Sequence, residues 1–333
     1  MFPGIEKELS KNRFFQEWKK ASVFEEMLGP PQILVEEFSE EWLQKLKKII
    51  GDGPMTTRFL ANLADYIEKI RILNGYEYIK ERLLRLDEQL HPTFVEIEFV
   101  WFLLLKTPPE RVHLEHTFES PSGKNPEIMV DTDSGPVYFE VTSVESYKQM
   151  SLILHYFNIL TAFQLSLKIL YGLQRKIIVT FFKYPDENIF EHLYWTLNKL
   201  ASEGIFHFSQ ETRDYNISMK EGDAVTFEMP LRTVANKIKD KIEEKTTKFK
   251  EGDRNYIVID VSAIVTDIEA QLKEIREYFQ YSENRTIWGV LLQSKWWTFR
   301  GTEPEYKFQA ICQANSCIEG KEPYNTISKL IPG

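Results

Sequence analysis

The chain has 333 residues, 43% hydrophobic and 27% charged, a balance that suits a soluble globular protein of one or two domains. Its formal charge of −9 argues against non-specific coating of a polyanion and leaves room only for a local basic patch. Two cysteines, Cys312 and Cys317, provide neither a disulfide framework nor a four-cysteine zinc site, so a reduced, cytoplasmic setting is expected.

No signal peptide is expected at the start, because Glu6, Lys7 and Glu8 arrive before any apolar run. Residues 1–90 read as a charged helical region. Trp42, Leu46 and Ile49 recur at helical spacing over Phe38–Ile50, and Gly51-Asp52-Gly53-Pro54 ends that helix. Thr57–Ile72 and Tyr76–Leu90 follow as two more helices, separated by Asn74-Gly75. Thr93–Lys106 is an apolar helix with Glu96 and Glu98 embedded in it, and Arg111–Phe118 alternates as a strand. Beyond a hairpin over 127–142, Ser146–Gln174 reads as a long helix. Its uncharged stretch Gln149–Leu167 keeps helical spacing and many polar residues, so it is a buried helix and no membrane span. Lys176–Phe182, Tyr256–Val261 and Thr286–Leu292 are continuous apolar runs, as in strands buried on both faces. Helices are expected at Asn188–Ser202, Leu231–Lys250 and Asp267–Tyr281, with an irregular polar stretch after the first of them. The order predicts an α/β protein: a central mixed sheet flanked by helices, preceded by the N-terminal helical region. Residues 91–333 would form the α/β domain, with an insertion around 183–230.

The hairpin carries the chemistry. If Ile128, Val130, Val137, Phe139 and Val141 face the core, alternation puts Glu127 and Asp131 on one face of the first strand. Tyr138, Glu140 and Thr142 then share a face of the second. Strand pairing brings Glu127 near Glu140, and adjacent carboxylates in an apolar sheet need a positive charge between them. A divalent metal meets that need, with Glu98 as a third oxygen source. A salt bridge to Lys148, or an edge position in water, would meet it as well.

The sequence of helix-Glu98, strand, Asn125-Pro126-Glu127, hairpin, Glu140-Val141-Thr142, long helix and strand resembles the PD-(D/E)xK nuclease superfamily, whose fold is restriction-endonuclease-like. The resemblance covers residues 93–182 and extends more weakly to Tyr256–Leu292. It implies a nuclease cleaving DNA or RNA with Mg²⁺ (or Mn²⁺), in which Glu127 and Glu140 hold the metal, Glu98 assists and Val141 offers its carbonyl. Two departures stand out: Glu127 replaces the family's usual Asp, and Thr142 occupies the place of the lysine that orients the attacking water. Lys148, Lys124 and Lys176 are the substitutes considered for that lysine. The alternative is a catalytically inactive protein that keeps the nuclease fold as a binding or scaffold module. A nucleic acid is the expected partner and a membrane is not; the oligomeric state stays open, a homodimer included.

Other candidates read more simply. Lys237, Lys241, Lys245 and Lys248 form a stripe that would suit a phosphate backbone. Interleaved Asp240, Glu243 and Glu244, with Val234, Ile238, Ile242 and Phe249 as the buried stripe, favour a solvated amphipathic helix. His113 and His116 would point to opposite faces of a strand. Asp131 and Asp133 read as turn residues. Trp288, Trp296 and Trp297 suit a domain seam better than base stacking.

Overall fold

A computed structural model describes residues 31–50, 54–115, 117–118, 126–144, part of 152–170, 171–183, 185–228, 231–261, 268–282, 284–300, 303–318 and 322–332. Among the described residues five helices come first: α1 (Gln32–Phe38), α2 (Glu40–Ile50), α3 (Pro54–Ile70), α4 (Tyr76–Arg85) and α5 (Leu90–Leu103). Strands β1 (Val112–Leu114), β2 (Ile128–Thr132) and β3 (Gly135–Ser143) follow, then β4 (Arg175–Phe181), α6 (Glu187–Ser202), β5 (Phe208–Glu211), β6 (Tyr215–Glu221) and β7 (Ala224–Glu228). The chain continues through α7 (Leu231–Thr246), β8 (Arg254–Asp260), α8 (Ile268–Ser282), β9 (Gly289–Arg300), β10 (Glu303–Ala314) and α9 (Glu322–Leu330). Among the described residues no helix is long and apolar enough to cross a membrane.

Six strands form the main sheet in the order β1-β2-β3-β8-β9-β10. β1, β2 and β3 are an antiparallel meander, β8 and β9 run parallel to β3, and β10 returns antiparallel. This is the expected mixed sheet flanked by helices, and both its faces are covered. Along β3 and β8 successive side chains enter different cores, as the two-residue period requires. Val137, Phe139, Val141, Tyr256 and Val258 pack with the N-terminal helices, whereas Tyr138, Ile257 and Ile259 pack on the opposite side. That second core also takes Ile238 and Ile242 from α7 and Leu272, Ile275 and Phe279 from α8.

Lys176–Phe182 is a strand, as its composition predicts, but β4 does not join the main sheet. It sits inside a second, four-stranded sheet of order β5-β6-β4-β7. The stretch expected to be irregular after α6 supplies the other three strands of that sheet. Few apolar residues mark the period in β5, which is almost wholly exposed, or in β7, which is mostly half-buried; β6 does alternate, with Tyr215, Ile217 and Met219 buried. A further strand, β10, and helix α9 extend the C-terminal part beyond the elements read from sequence.

α5 shows why acidic residues become buried in this fold. Nearly every residue from Leu90 to Leu103 is buried, Glu96 and Glu98 included, as for a helix enclosed on all sides. α4 is held tightly beside it. The indole N–H of Trp42 donates to the Leu83 carbonyl at 2.9 Å, and Lys80 donates to Glu37 on α1 at 2.8 Å. At its N-terminus Gly75 has φ +94°, and a Cβ there would lie 2.7 Å from Thr117 Cγ2 and 2.9 Å from Leu114 Cβ. Only glycine meets both the left-handed backbone and the close approach of the β1 segment. Gly75→Ala is therefore expected to cost about 2 kcal/mol in urea denaturation; an unchanged midpoint would show that α4 does not depend on this seam.

Candidate active site

The β2–β3 register pairs Ile128 with Phe139 and Val130 with Val137. One more step in that register sets Glu127 across from Glu140, but Glu127 has already left the ladder. Its carbonyl accepts the Glu115 N–H at 2.8 Å, and its side chain turns onto β3, where Oε2 accepts the Val141 N–H at 2.6 Å. The N–H and C=O of one strand residue point to the same edge. The Val141 carbonyl therefore faces the same gap that Glu127 fills.

Glu140 is fully buried on the other side of that gap. Its Oε2 accepts a hydrogen bond from the Lys245 ammonium at 2.9 Å, and the same ammonium lies 3.5 Å from Glu127 Oε1. Side-chain exposure is 0% for Glu140, 14% for Lys245 and 17% for Glu127, so solvent reaches the triad from the Glu127–Lys245 side. Burial pushes the Glu140 carboxyl up to about 7; the charge of Glu127 adds to this, and Lys245 opposes it. Burial opposes the charge on Lys245, yet Glu127 and Glu140 together push its pKa above the usual lysine value. Glu140 Oε1 is buried and has no hydrogen-bond partner among the described residues.

A second charged pair approaches from the N-terminal helices. Arg82 of α4 lies 2.5 Å from Glu96 Oε2. Burial pushes Glu96 up to about 8, with Arg82 opposing and the charges of Glu127 and Glu115 adding to the rise. Arg82 in turn feels Glu127 and Glu115 besides Glu96. Glu127 thus interacts with the charges of two cations, Lys245 from α7 and Arg82 from α4.

The hairpin places Glu127, Glu140 and Val141 together, as the sequence suggests. Thr142 is buried on β3, two residues beyond Glu140 and on the same strand face. Glu98 is buried on α5, but among the described residues no three His, Cys, Asp or Glu side chains gather as a metal cluster. On α5, the charge of Glu96 interacts with that of Glu127. Lys148 and Lys124 lie outside the described residues. Lys176 pairs with Lys220 in the second sheet, away from the hairpin acids. Lys245 was visible in the sequence only as part of a lysine stripe. A sharper signal was present: Ile238, Ile242, Lys245 and Phe249 are spaced four, three and four apart, so a lysine occupies a core-facing position of α7. Asp131 lies in β2 and meets His113 at 2.8 Å, while Asp133 is in the turn and pairs with Arg111.

No family model, curated protein or solved structure matches this chain.

The triad makes a pH-dependent prediction. The folded-state pKa of Glu140 lies above the ordinary carboxyl value of 4.5, so its contribution to stability is complete below that value and is lost as pH rises through about 7. Lys245→Met leaves the ionised carboxylate buried without its ammonium. The expected loss is about 3–5 kcal/mol at pH 8, and much less at pH 4.5, where Glu140 is neutral in the folded state. Urea denaturation of both proteins at the two pH values checks this; equal losses would mean that the charge of Glu140 is not what Lys245 balances.

Proposed function

We propose that the chain is a divalent-metal-dependent nuclease of the PD-(D/E)xK kind, hydrolysing phosphodiester bonds of DNA or RNA. Lys245 carries this reading. The motif position after Glu140-Val141 holds Thr142, which has no positive charge, and α7 brings an ammonium to the acid pair instead. The meander β1-β2-β3 with β8 parallel to β3 also supports the expected likeness of fold.

The donor set fits a hard cation. Glu127, Glu140 and the Val141 carbonyl offer oxygen ligands, and the unpartnered, buried Glu140 Oε1 is an acceptor that such an ion would satisfy. When bound, Mg²⁺ or Mn²⁺ would supply an activated water and neutralise charge on the scissile phosphate. Glu127 would keep its second oxygen on the Val141 N–H and so fix the ligand geometry on β3. Lys245 would hold the attacking water by hydrogen bond and offset negative charge that develops on the phosphate. Thr142 would contribute only a hydroxyl.

One observation favours a second reading, a non-catalytic module that retains the fold. The Lys245 ammonium already contacts both carboxylates, so the pair is compensated without a metal. Incubation of the purified chain with plasmid, single-stranded DNA and RNA in Mg²⁺ or Mn²⁺ separates the two. The nuclease reading expects cleavage that chelator abolishes, and a fall in kcat of about 10²-fold or more in Lys245→Met. Cleavage that survives Glu140→Gln would remove this mechanism, and absence of Mn²⁺ binding in calorimetry would favour the scaffold.

A further inference from the structure

Lys245 is the penultimate residue of α7, where a helix runs out of its own hydrogen bonds and its end must be held by other groups. Asparagine side chains supply that anchorage. Next to Lys245, the Thr246 hydroxyl donates to the Ile242 carbonyl at 2.6 Å and accepts from the Asn284 amide at 3.4 Å. Beyond the helix, the Lys250 carbonyl accepts from the Asn255 amide at 2.7 Å, and the same nitrogen donates to the Thr286 carbonyl at 2.8 Å. Asn284 Oδ1 accepts the Thr286 N–H at 3.0 Å. Asn315, just after β10, donates to the carbonyls of Asn284 and Ile287. The segment that follows α8 is thereby fastened to the end of α7 on one side and to the sheet on the other.

Asn255 stands at the centre of these bonds. It lies on β8 as the Cα partner of Tyr138, two residues before Ile257, the partner of Glu140. It is buried, and the two-residue period puts it on the face of β8 from which Ile257 joins the α7 core. One amide thus ties the chain leaving α7 to the strand pair that carries Glu140. We propose that Asn255 is a positioning residue for Lys245. It holds the helix end directly at Lys250 and, by way of Thr286 and Asn284, at Thr246. This deepens the nuclease reading above, and its catalytic part rests on that reading. A lysine carries its charge on a flexible four-carbon stem. Its backbone must be held if the ammonium is to keep both 2.9 Å to Glu140 Oε2 and 3.5 Å to Glu127 Oε1.

Two double-mutant cycles with Lys245→Met test the proposal. The first reads urea denaturation at pH 8. If Asn255 places the ammonium, Lys245→Met costs less in the Asn255→Ala background than in wild type, by about tenfold in the unfolding constant. The second reads cleavage of single-stranded DNA with Mn²⁺. Asn255→Ala is expected to lower kcat about 10-fold or more with KM nearly unchanged, and to add nothing to the loss already caused by Lys245→Met. Asn284→Ala removes the bond to Thr246 and leaves both Asn255 bonds. It should show the same pattern at smaller amplitude, and it carries both cycles if Asn255→Ala does not fold. Gly75→Ala, which weakens the layer on the other face of the sheet, should leave kcat unchanged, so lost stability alone does not mimic the effect. Additive losses in either cycle would overturn the positioning role and leave Asn255 as a packing residue. A wild-type chain that cleaves nothing in Mn²⁺ would remove the nuclease reading and the catalytic part with it; the stability cycle would still decide whether Asn255 holds Lys245 on Glu140.

Discussion

Glu140 is the constraint around which this molecule is organised. A carboxylate with no exposed surface in the middle of a two-sided sheet is costly unless a charge or several hydrogen bonds compensate it. The compensating ammonium comes from 105 residues further along the chain. α7 must dock against β3 and β8 before that charge arrives. It does so through Val234, Ile238 and Ile242, which enter the same core as Ile257 and Ile259. The second sheet shares that core through Ile177, Val179, Ile217 and Phe227. The buried acid and the apolar contacts that bring α7 to it thus belong to one packed unit.

How far the sequence discloses this differs from element to element. β8 and the start of β9 are legible because strands covered on both faces are apolar without interruption. The β2–β3 hairpin is legible because Asp133-Ser134-Gly135 sets the turn, and the turn sets the register that brings 127 opposite 140. β4 has the same apolar character as β8, but periodicity reports burial and says nothing about which neighbour a strand takes. Its place in a separate sheet follows from β6 and β7: β6 buries Tyr215, Ile217 and Met219 in alternation, whereas β7 is mostly half-buried and carries little pattern. For the same reason Lys245 could be placed on a helix but not at the acids. Helical spacing shows that it faces inward, and only the tertiary fold shows what it meets.

The two acids of α5 make a related point. Glu96 and Glu98 differ by two residues, so on a helix they point in nearly opposite directions. An apolar helix with two embedded acids announces that something buried must answer each of them. Which one faces the hairpin depends on how the helix is rotated against the sheet, a quantity that an all-apolar surface leaves unmarked. Arg82 answers Glu96, and α4 is held in place by contacts at Gly75, Lys80 and Leu83. The rotation of α5 was fixed by its neighbour, so it could not be read from its own sequence.

The two departures from the nuclease pattern have a common geometric explanation under the functional reading. Glu127 precedes the first paired residue of β2, so its backbone has begun to leave the sheet. A carboxylate there must reach back across the gap to meet the Val141 N–H, and it does so while still facing the Lys245 ammonium. The extra methylene of glutamate supplies that reach; an aspartate at the same position would have to choose between the two contacts or pull β2 inward. Thr142, in turn, lies on the buried face that Glu140 shares, beside a helix packed closely enough to deliver its own lysine. A second ammonium from position 142 would add a buried positive charge where Lys245 already stands. The longer acid and the missing strand lysine are therefore two consequences of one arrangement, in which the cation comes from α7 and the strand only presents the oxygens.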